Sequence, residues 1–132
     1  MTTRDTVEEL LSRMASGDAE MTAELFAEKV DFLCAGSGKV SWIRPRRTRE
    51  DMADFFGTMN ANFVPEDRSA SVSGILVDGE DAVVMGHVSQ RLKSNGKAFT
   101  IPFALHLTVS DGLITRYHIY EDSLTVAEAV TT

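Results

Sequence analysis

Three turn dipeptides in the second half of the chain, Asp78-Gly79, Asn95-Gly96 and Asp111-Gly112, constrain the fold more than any other feature. Asn-Gly and Asp-Gly readily adopt the positive backbone angles that a two-residue hairpin loop requires. The runs around them, 69–77, 82–93, 98–109 and 113–122, are rich in β-branched, aromatic and other apolar residues. They are read as four strands of an antiparallel meander. Pro102 removes a ladder donor from the third run, so a bulge or an edge is expected nearby.

The first half has a different period. Val7, Leu10, Leu11 and Met14 recur at helical spacing, and Gly17 sits where that helix would stop. Asp18 is placed to cap a second, short helix carrying Met21, Leu25 and Phe26. Thr48, three residues before Asp51, gives a capping-box signature for a third helix. Its apolar stripe is Met52, Phe55, Phe56, Met59 and Phe63, and Pro65 stops it. Between these helices, 30–34 reads as a short strand, Ala35-Gly36-Ser37-Gly38 as a turn and Val40-Ser41-Trp42-Ile43 as a returning strand. Helices followed by a meander mean an α+β fold, with three N-terminal helices packed on one face of a curved, mostly antiparallel sheet. No repeat or linker interrupts the pattern, so 1–132 is read as a single domain.

Composition narrows the partners. A chain of 132 residues can bury roughly two-thirds of its unfolded surface. Its net charge of −7 disfavours nucleic acid and anionic membranes. No apolar run approaches the ~18 residues of a membrane span. The charged start lacks the apolar core of a secretory signal. The single cysteine, Cys34, forbids an internal disulfide and fits a reducing cytoplasm.

Register decides which side chains share a face. If Asn95-Gly96 closes a two-residue loop, Gly86, Val88, Gln90 and Leu92 lie beside Leu105, Phe103, Ile101 and Phe99. That apolar face is read as the core. Asp111-Gly112 leaves two registers. A two-residue loop would turn Arg116 and His118 inward. A three-residue loop, Ser110-Asp111-Gly112 with the glycine in a left-handed bulge, would turn Tyr117 and Ile119 inward instead. The second is preferred, because burying Arg116 unpaired would cost on the order of several kcal/mol. It places Glu121 in a row with Ile101 and Gln90. On the outer face His87 and His118 then flank Ala104, with His106 one step along.

Two stretches carry a family likeness: Ser16-Gly17-Asp18 with Leu25-Phe26-Ala27, and Asp111-Gly112-Leu113-Ile114-Thr115-Arg116-Tyr117 with Tyr120-Glu121-Asp122. With the element order they make nearly the whole chain resemble the SnoaL-like/NTF2-like superfamily, which includes ketosteroid isomerases, limonene-epoxide hydrolase and polyketide cyclases. The resemblance implies a cone-shaped α+β fold, and the superfamily hosts many chemistries as well as non-catalytic binders. Positions matching the ketosteroid isomerase base, tyrosine and neutral acid hold Cys34, Leu10 and Leu105. Positions matching the Asp-Arg-Asp set of limonene-epoxide hydrolase hold Gly86, Val88 and Ile119. Neither reaction is expected by those routes.

Each remaining candidate has an ordinary alternative. Glu121, against Ile101 and Phe103, would have a raised pKa suited to proton transfer, or is a solvated strand end. Tyr117 offers a hydroxyl to a ligand carbonyl, or packs its ring and bonds a backbone carbonyl. Cys34 is a nucleophile or an inert core filler. His87, His106 and His118 make a metal site or a subunit interface. The spacing of His87 and His118, about 10 Å, favours the interface, and no metal is expected. Arg44, Arg46, Arg47 and Arg49 receive an anionic tail or are solvated.

The expected cavity draws Leu11, Met14 and Phe56 from the helices and Phe32, Cys34 and Trp42 from the first strand and its return. The meander adds Val88, Gln90, Ile101, Phe103, Tyr117, Ile119 and Glu121. Such a lining suits a hydrophobic small molecule bearing one or two oxygens. The expectation is a cofactor-free lyase, isomerase or cyclase, in which Glu121 moves a proton while Tyr117 and Gln90 hold a carbonyl or hydroxyl. The alternative is a non-catalytic binder of an apolar metabolite, or a protein-association module. A homodimer through the outer sheet face is expected in either case.

Overall fold

Thr2 and Thr48 begin the two long helices by the same reciprocal device. Each threonine side chain accepts from the backbone N–H three residues on, and the aspartate there, Asp5 or Asp51, accepts from the threonine N–H. In the computed structural model, which describes residues 1–131, they open α1 (Thr3–Ser16) and α3 (Arg49–Asn62). Gly17 closes α1 in the left-handed region, at φ 78°. Asp18 caps α2 (Ala19–Ala23) through Met21 N–H.

That helix is shorter than its sequence suggests. Leu25 and Phe26 do not belong to it: the chain straightens at once into β1 (Phe26–Cys34), where Phe26 is wholly buried. Phe63 likewise lies beyond α3, extended and buried, bridging to Leu92. Residues 40–43 do not return as a strand. They form successive turns, with Val40 N–H donating to Ser37 and Ile43 N–H to Val40. The edge of β1 that such a strand would need is partly taken, since Val30 N–H donates to Arg47 and Lys29 bridges Thr48. Val40 and Trp42 are still buried, so their apolar character reports core rather than strand.

The meander follows as β2 (Ser69–Asp78), β3 (Asp81–Arg91), β4 (Ala98–Ser110) and β5 (Leu113–Glu121). The sheet order is β1-β5-β4-β3-β2, with only β1 and β5 parallel. Gly86 lets β2 pass close to β3, because a Cβ there would collide with the Ser71 carbonyl oxygen. Pro102 sits just past the point where β5 stops, its last pair with β4 being Phe103↔Glu121, so one side of β4 is open there.

Two registers differ from expectation. The Asn95-Gly96 loop is longer than two residues, closed by Leu92 N–H to Lys97 and Gly96 N–H to Leu92. Val88 therefore pairs with Ile101 and Gln90 with Phe99, a slip of two. An even slip keeps every side chain on its face. At Asp111-Gly112 the loop has two residues after all, at φ 52° and 78°, with Ser110 opposite Leu113. A bulge then intervenes: Val109 pairs with Ile114 but Thr108 with Arg116, leaving Thr115 over. Ile114 and Tyr117 both turn inward, and Arg116 and His118 stay out. Glu121 thus shares its row with Phe103 and Gly86, not with Ile101 and Gln90. His118 lies opposite His106, and His87 opposite Pro102, so Ala104 is not flanked by histidines.

After β5, Asp122 caps a fourth helix, α4 (Ser123–Val130), unforeseen from the sequence. Val126 and Ala129 seat it on the core. α1 and α3 cover the concave face, where Val7, Leu10, Met52 and Phe56 meet Phe26, Leu107, Ile114 and Tyr117. Burial of such side chains contributes roughly 1.5–3 kcal/mol each. No helix among the described residues is long and apolar enough to cross a membrane.

Candidate functional site

The concave face is not filled throughout. A cavity of about 660 Å³ lies between the helices and the meander. Leu11 and Met14 of α1 and Phe55, Phe56 and Met59 of α3 wall one side, with Val88, Gln90, Phe103, Leu105, Tyr117 and Ile119 of the sheet opposite. Gly17, Asn60, Arg68 and Ser69 also front it.

Of the side chains expected to meet, eight do: Leu11, Met14, Phe56, Val88, Gln90, Phe103, Tyr117 and Ile119. Five lie elsewhere. Trp42 packs edge-on against Phe63 at 5.2 Å, carried there by the turns that replace a strand. Ile101 is sealed in the core. Phe32 and Cys34 line a second hollow, of about 440 Å³, along β1 with Ile43, Pro45 and Arg46. Glu121 is one inward position past Ile119 and does not line the larger cavity.

Tyr117 is the polar group set deepest in the aromatic wall. Its ring stacks on Phe32 at 6.0 Å and meets Phe55 and Phe56 edge-on at 5.8 Å. Among the described residues no group hydrogen-bonds its hydroxyl. Burial, seconded by Cys34 and Glu121, pushes its pKa far up, so the phenol stays a neutral O–H donor. Burial also raises the Glu121 carboxyl, with Asp122 adding repulsion. The Cys34 thiol is pushed up to about 12 by burial and then by Glu121, which removes its thiolate at neutral pH.

Arg68 has no motif around it in the sequence that marks it as a site residue. It follows the 3-10 turn Pro65–Asp67, and its guanidinium lies 5.6 Å over the Phe63 ring while Nη1 donates to Asn60 Oδ1 at 2.7 Å. Asn60 in turn donates to the Gly17 carbonyl at 2.9 Å. Glu66 and Asp67 precede Arg68 directly, so the sequence reads as locally neutralised and gives no signal.

The arginine cluster before α3 serves the fold. Arg46 is buried and donates to the Trp42 carbonyl at 2.7 Å, and it shares Asp54 with Arg44. Arg49 Nε donates to the Phe26 carbonyl at 2.8 Å. On the outer face, His106 Nε2 lies 3.0 Å from Asp81 and His118 Nε2 lies 2.9 Å from Asp31, with the two rings 6.1 Å apart. Among the described residues no three His, Cys, Asp or Glu side chains are grouped to hold a metal ion.

A family model described as a SnoaL-like domain matches residues 7–117. The chain belongs to the SnoaL-like family. Solved structures agree on the fold of this SnoaL-like protein. An NTF2-like protein of Burkholderia thailandensis superposes with a TM-score of 0.84 at 16% identity, covering 98% of this chain and 97% of that one. An NTF2-like protein of unknown function from Burkholderia pseudomallei gives 0.85 at 15% identity, covering 100% and 99%. TerC, co-crystallised with polyporic acid, gives 0.83 at 16% identity and 98% of both chains. No curated protein matches the chain by sequence.

Proposed function

We propose that this SnoaL-like protein binds an apolar, oxygen-bearing small molecule in its cavity and promotes a proton transfer on it of isomerase, lyase or cyclase type. The observation that carries the reading is the Tyr117 hydroxyl, a neutral donor without a protein acceptor in the wall of a mostly apolar cavity. A neutral hydroxyl in a cavity wall can donate to an oxygen that enters the cavity. A ligand carbonyl or hydroxyl oxygen is such an acceptor. TerC, which shares the fold, has been crystallised with polyporic acid.

In the catalytic form of this reading the ligand reaches past Ile119 toward Glu121. The Glu121 carboxylate takes a proton from the carbon beside the ligand carbonyl. The C–H electron pair moves onto the carbonyl oxygen, and Tyr117 donates to the resulting enolate. Return of the proton to another carbon, or loss of a leaving group, completes an isomerisation or an elimination. A pKa raised by burial makes Glu121 a stronger base than an ordinary carboxylate. Loss of one such oxyanion donor lowers turnover by roughly 100-fold or more, the effect expected for Tyr117→Phe.

A second reading is favoured by one feature: no carboxylate lines the cavity itself. It makes the protein a binder without chemistry. Deuterium exchange into a bound ketone, followed by NMR, separates the two. Exchange that is lost in Glu121→Gln supports catalysis, exchange that persists there removes Glu121 from the role, and binding without exchange leaves the binder. A homodimer through the outer face, where Leu33, Leu76 and Tyr120 are exposed, is part of the same proposal. Sedimentation showing only a monomer would remove it.

A further inference from the structure

The cavity lining holds a cation that no protein carboxylate answers. In a chain of net charge −7, Arg13, Arg44, Arg46, Arg91 and Arg116 each meet an aspartate or glutamate. Arg4, Arg47 and Arg49, all exposed, and Arg68 meet none among the described residues. Of these four only Arg68 is half-buried and lines the cavity, although two acidic residues precede it. Glu66 and Asp67 are exposed, and Asp67 turns away to Arg91 at 3.1 Å. Phe63 covers a face of the Arg68 guanidinium and Asn60 fixes Nη1. The remaining N–H donors are left to whatever enters the cavity. Burial disfavours the charge. Holding a half-buried guanidinium without a counter-charge is unfavourable in the empty protein. An anion entering the cavity relieves it.

We infer that the ligand is an apolar molecule bearing one carboxylate, its anionic end held by Arg68 and its body lying along Phe56, Val88, Phe103 and Ile119. This rests on reading the cavity as a ligand site. A single planar guanidinium matches a carboxylate through paired N–H donors. A phosphate dianion would face one cation in a strongly acidic protein, which makes it the poorer fit. Tyr117 then meets a neutral oxygen on the body of the same ligand, and Arg68 sets which molecules are admitted.

The test uses anthracene-2-carboxylate and its methyl ester, followed by fluorescence titration of the full chain. The carboxylate is expected to bind about tenfold or more tightly than the ester, the difference a charge-assisted pair provides. Arg68→Gln should abolish that preference while leaving ester affinity within about threefold, and Arg68→Lys should restore part of it. Val88→Trp, which fills the cavity, should weaken both probes. Equal binding of acid and ester, or a preference that survives Arg68→Gln, overturns the anion assignment and leaves the cavity reading standing. Binding of neither probe, or binding untouched by Val88→Trp, overturns both. Thermal unfolding of each variant verifies that it is folded.

Discussion

Arg46 and Arg68 both lie over phenylalanine rings in an acidic protein, and they differ in what answers their charge. Arg46 sits 5.0 Å over Phe55, donates to the Trp42 and Arg44 carbonyls and reaches Asp54 at 3.2 Å. Its side chain is 1% exposed. It fastens the loop before α3 to the core. Arg68 has the ring and one amide oxygen, with no carboxylate. Arg46 keeps one buried donor, Nε, without an acceptor, yet its carboxylate and two carbonyl partners make it a structural fastener. Half-buried arginine on a cavity, with donors to spare, is an incomplete site. The teaching is in the acceptors rather than in the residue type or its burial alone.

Stability measurements can break this comparison. Arg46→Met leaves two backbone carbonyls without their donor and should cost about 3 kcal/mol in urea unfolding. Arg68→Gln loses a stacked contact and one hydrogen bond at a solvent-reached site, and should cost about 1 kcal/mol or less. Equal losses for the two would make Arg68 a fastener as well.

Acid–base behaviour sharpens the contrast between buried and exposed charge. Burial lifts the folded pKa of Glu121 above its unfolded value. The native state therefore loses stability as pH rises from the ordinary carboxylate range through that raised value. Glu121→Gln should melt higher than wild type at neutral to alkaline pH, and the margin should vanish on acidification. A margin independent of pH would mean that the carboxyl is not titrating as burial dictates. Asp31 has the opposite sign. His118, and then Arg116, hold its pKa below the ordinary range. Its contribution is present above that range and is lost as pH falls through the lowered value. Its side chain is 54% exposed, so Asp31→Asn should cost under about 1 kcal/mol at neutral pH, the smallest effect of the four.

Much of the fold is written locally. Thr48 and Asp51, Asp18, Gly17 and the three hairpin dipeptides act within a few residues of themselves, so their signals survive without tertiary context. The inward set of the meander is legible for the same reason, since strand alternation has a period of two. The resemblance carried in Ser16-Gly17-Asp18 and in the segment from Asp111 to Asp122 led to the family. Other features left no such trace. Trp42 and Val40 are apolar because they are buried, and burial does not distinguish a strand from a turn. The eight-residue α4 follows β5 after the single residue Asp122, which reads in sequence as a strand end and acts as the cap.

The sequence by itself determined where helices begin, where the chain reverses and which side chains of each strand face the core, because these depend on neighbours within one turn or one pleat. Only the tertiary structure decided the two-residue slip at Val88↔Ile101, the place of the bulge at Thr115 rather than in the loop, and the exclusion of Glu121 from the cavity lining. It alone decided that Asp67 answers Arg91 and leaves Arg68 to the cavity. An even slip changes no side chain's face and so is invisible to a pattern of period two. The pairing of charges depends on which way side chains point once separate elements have met, a choice that residues adjacent in the chain do not encode.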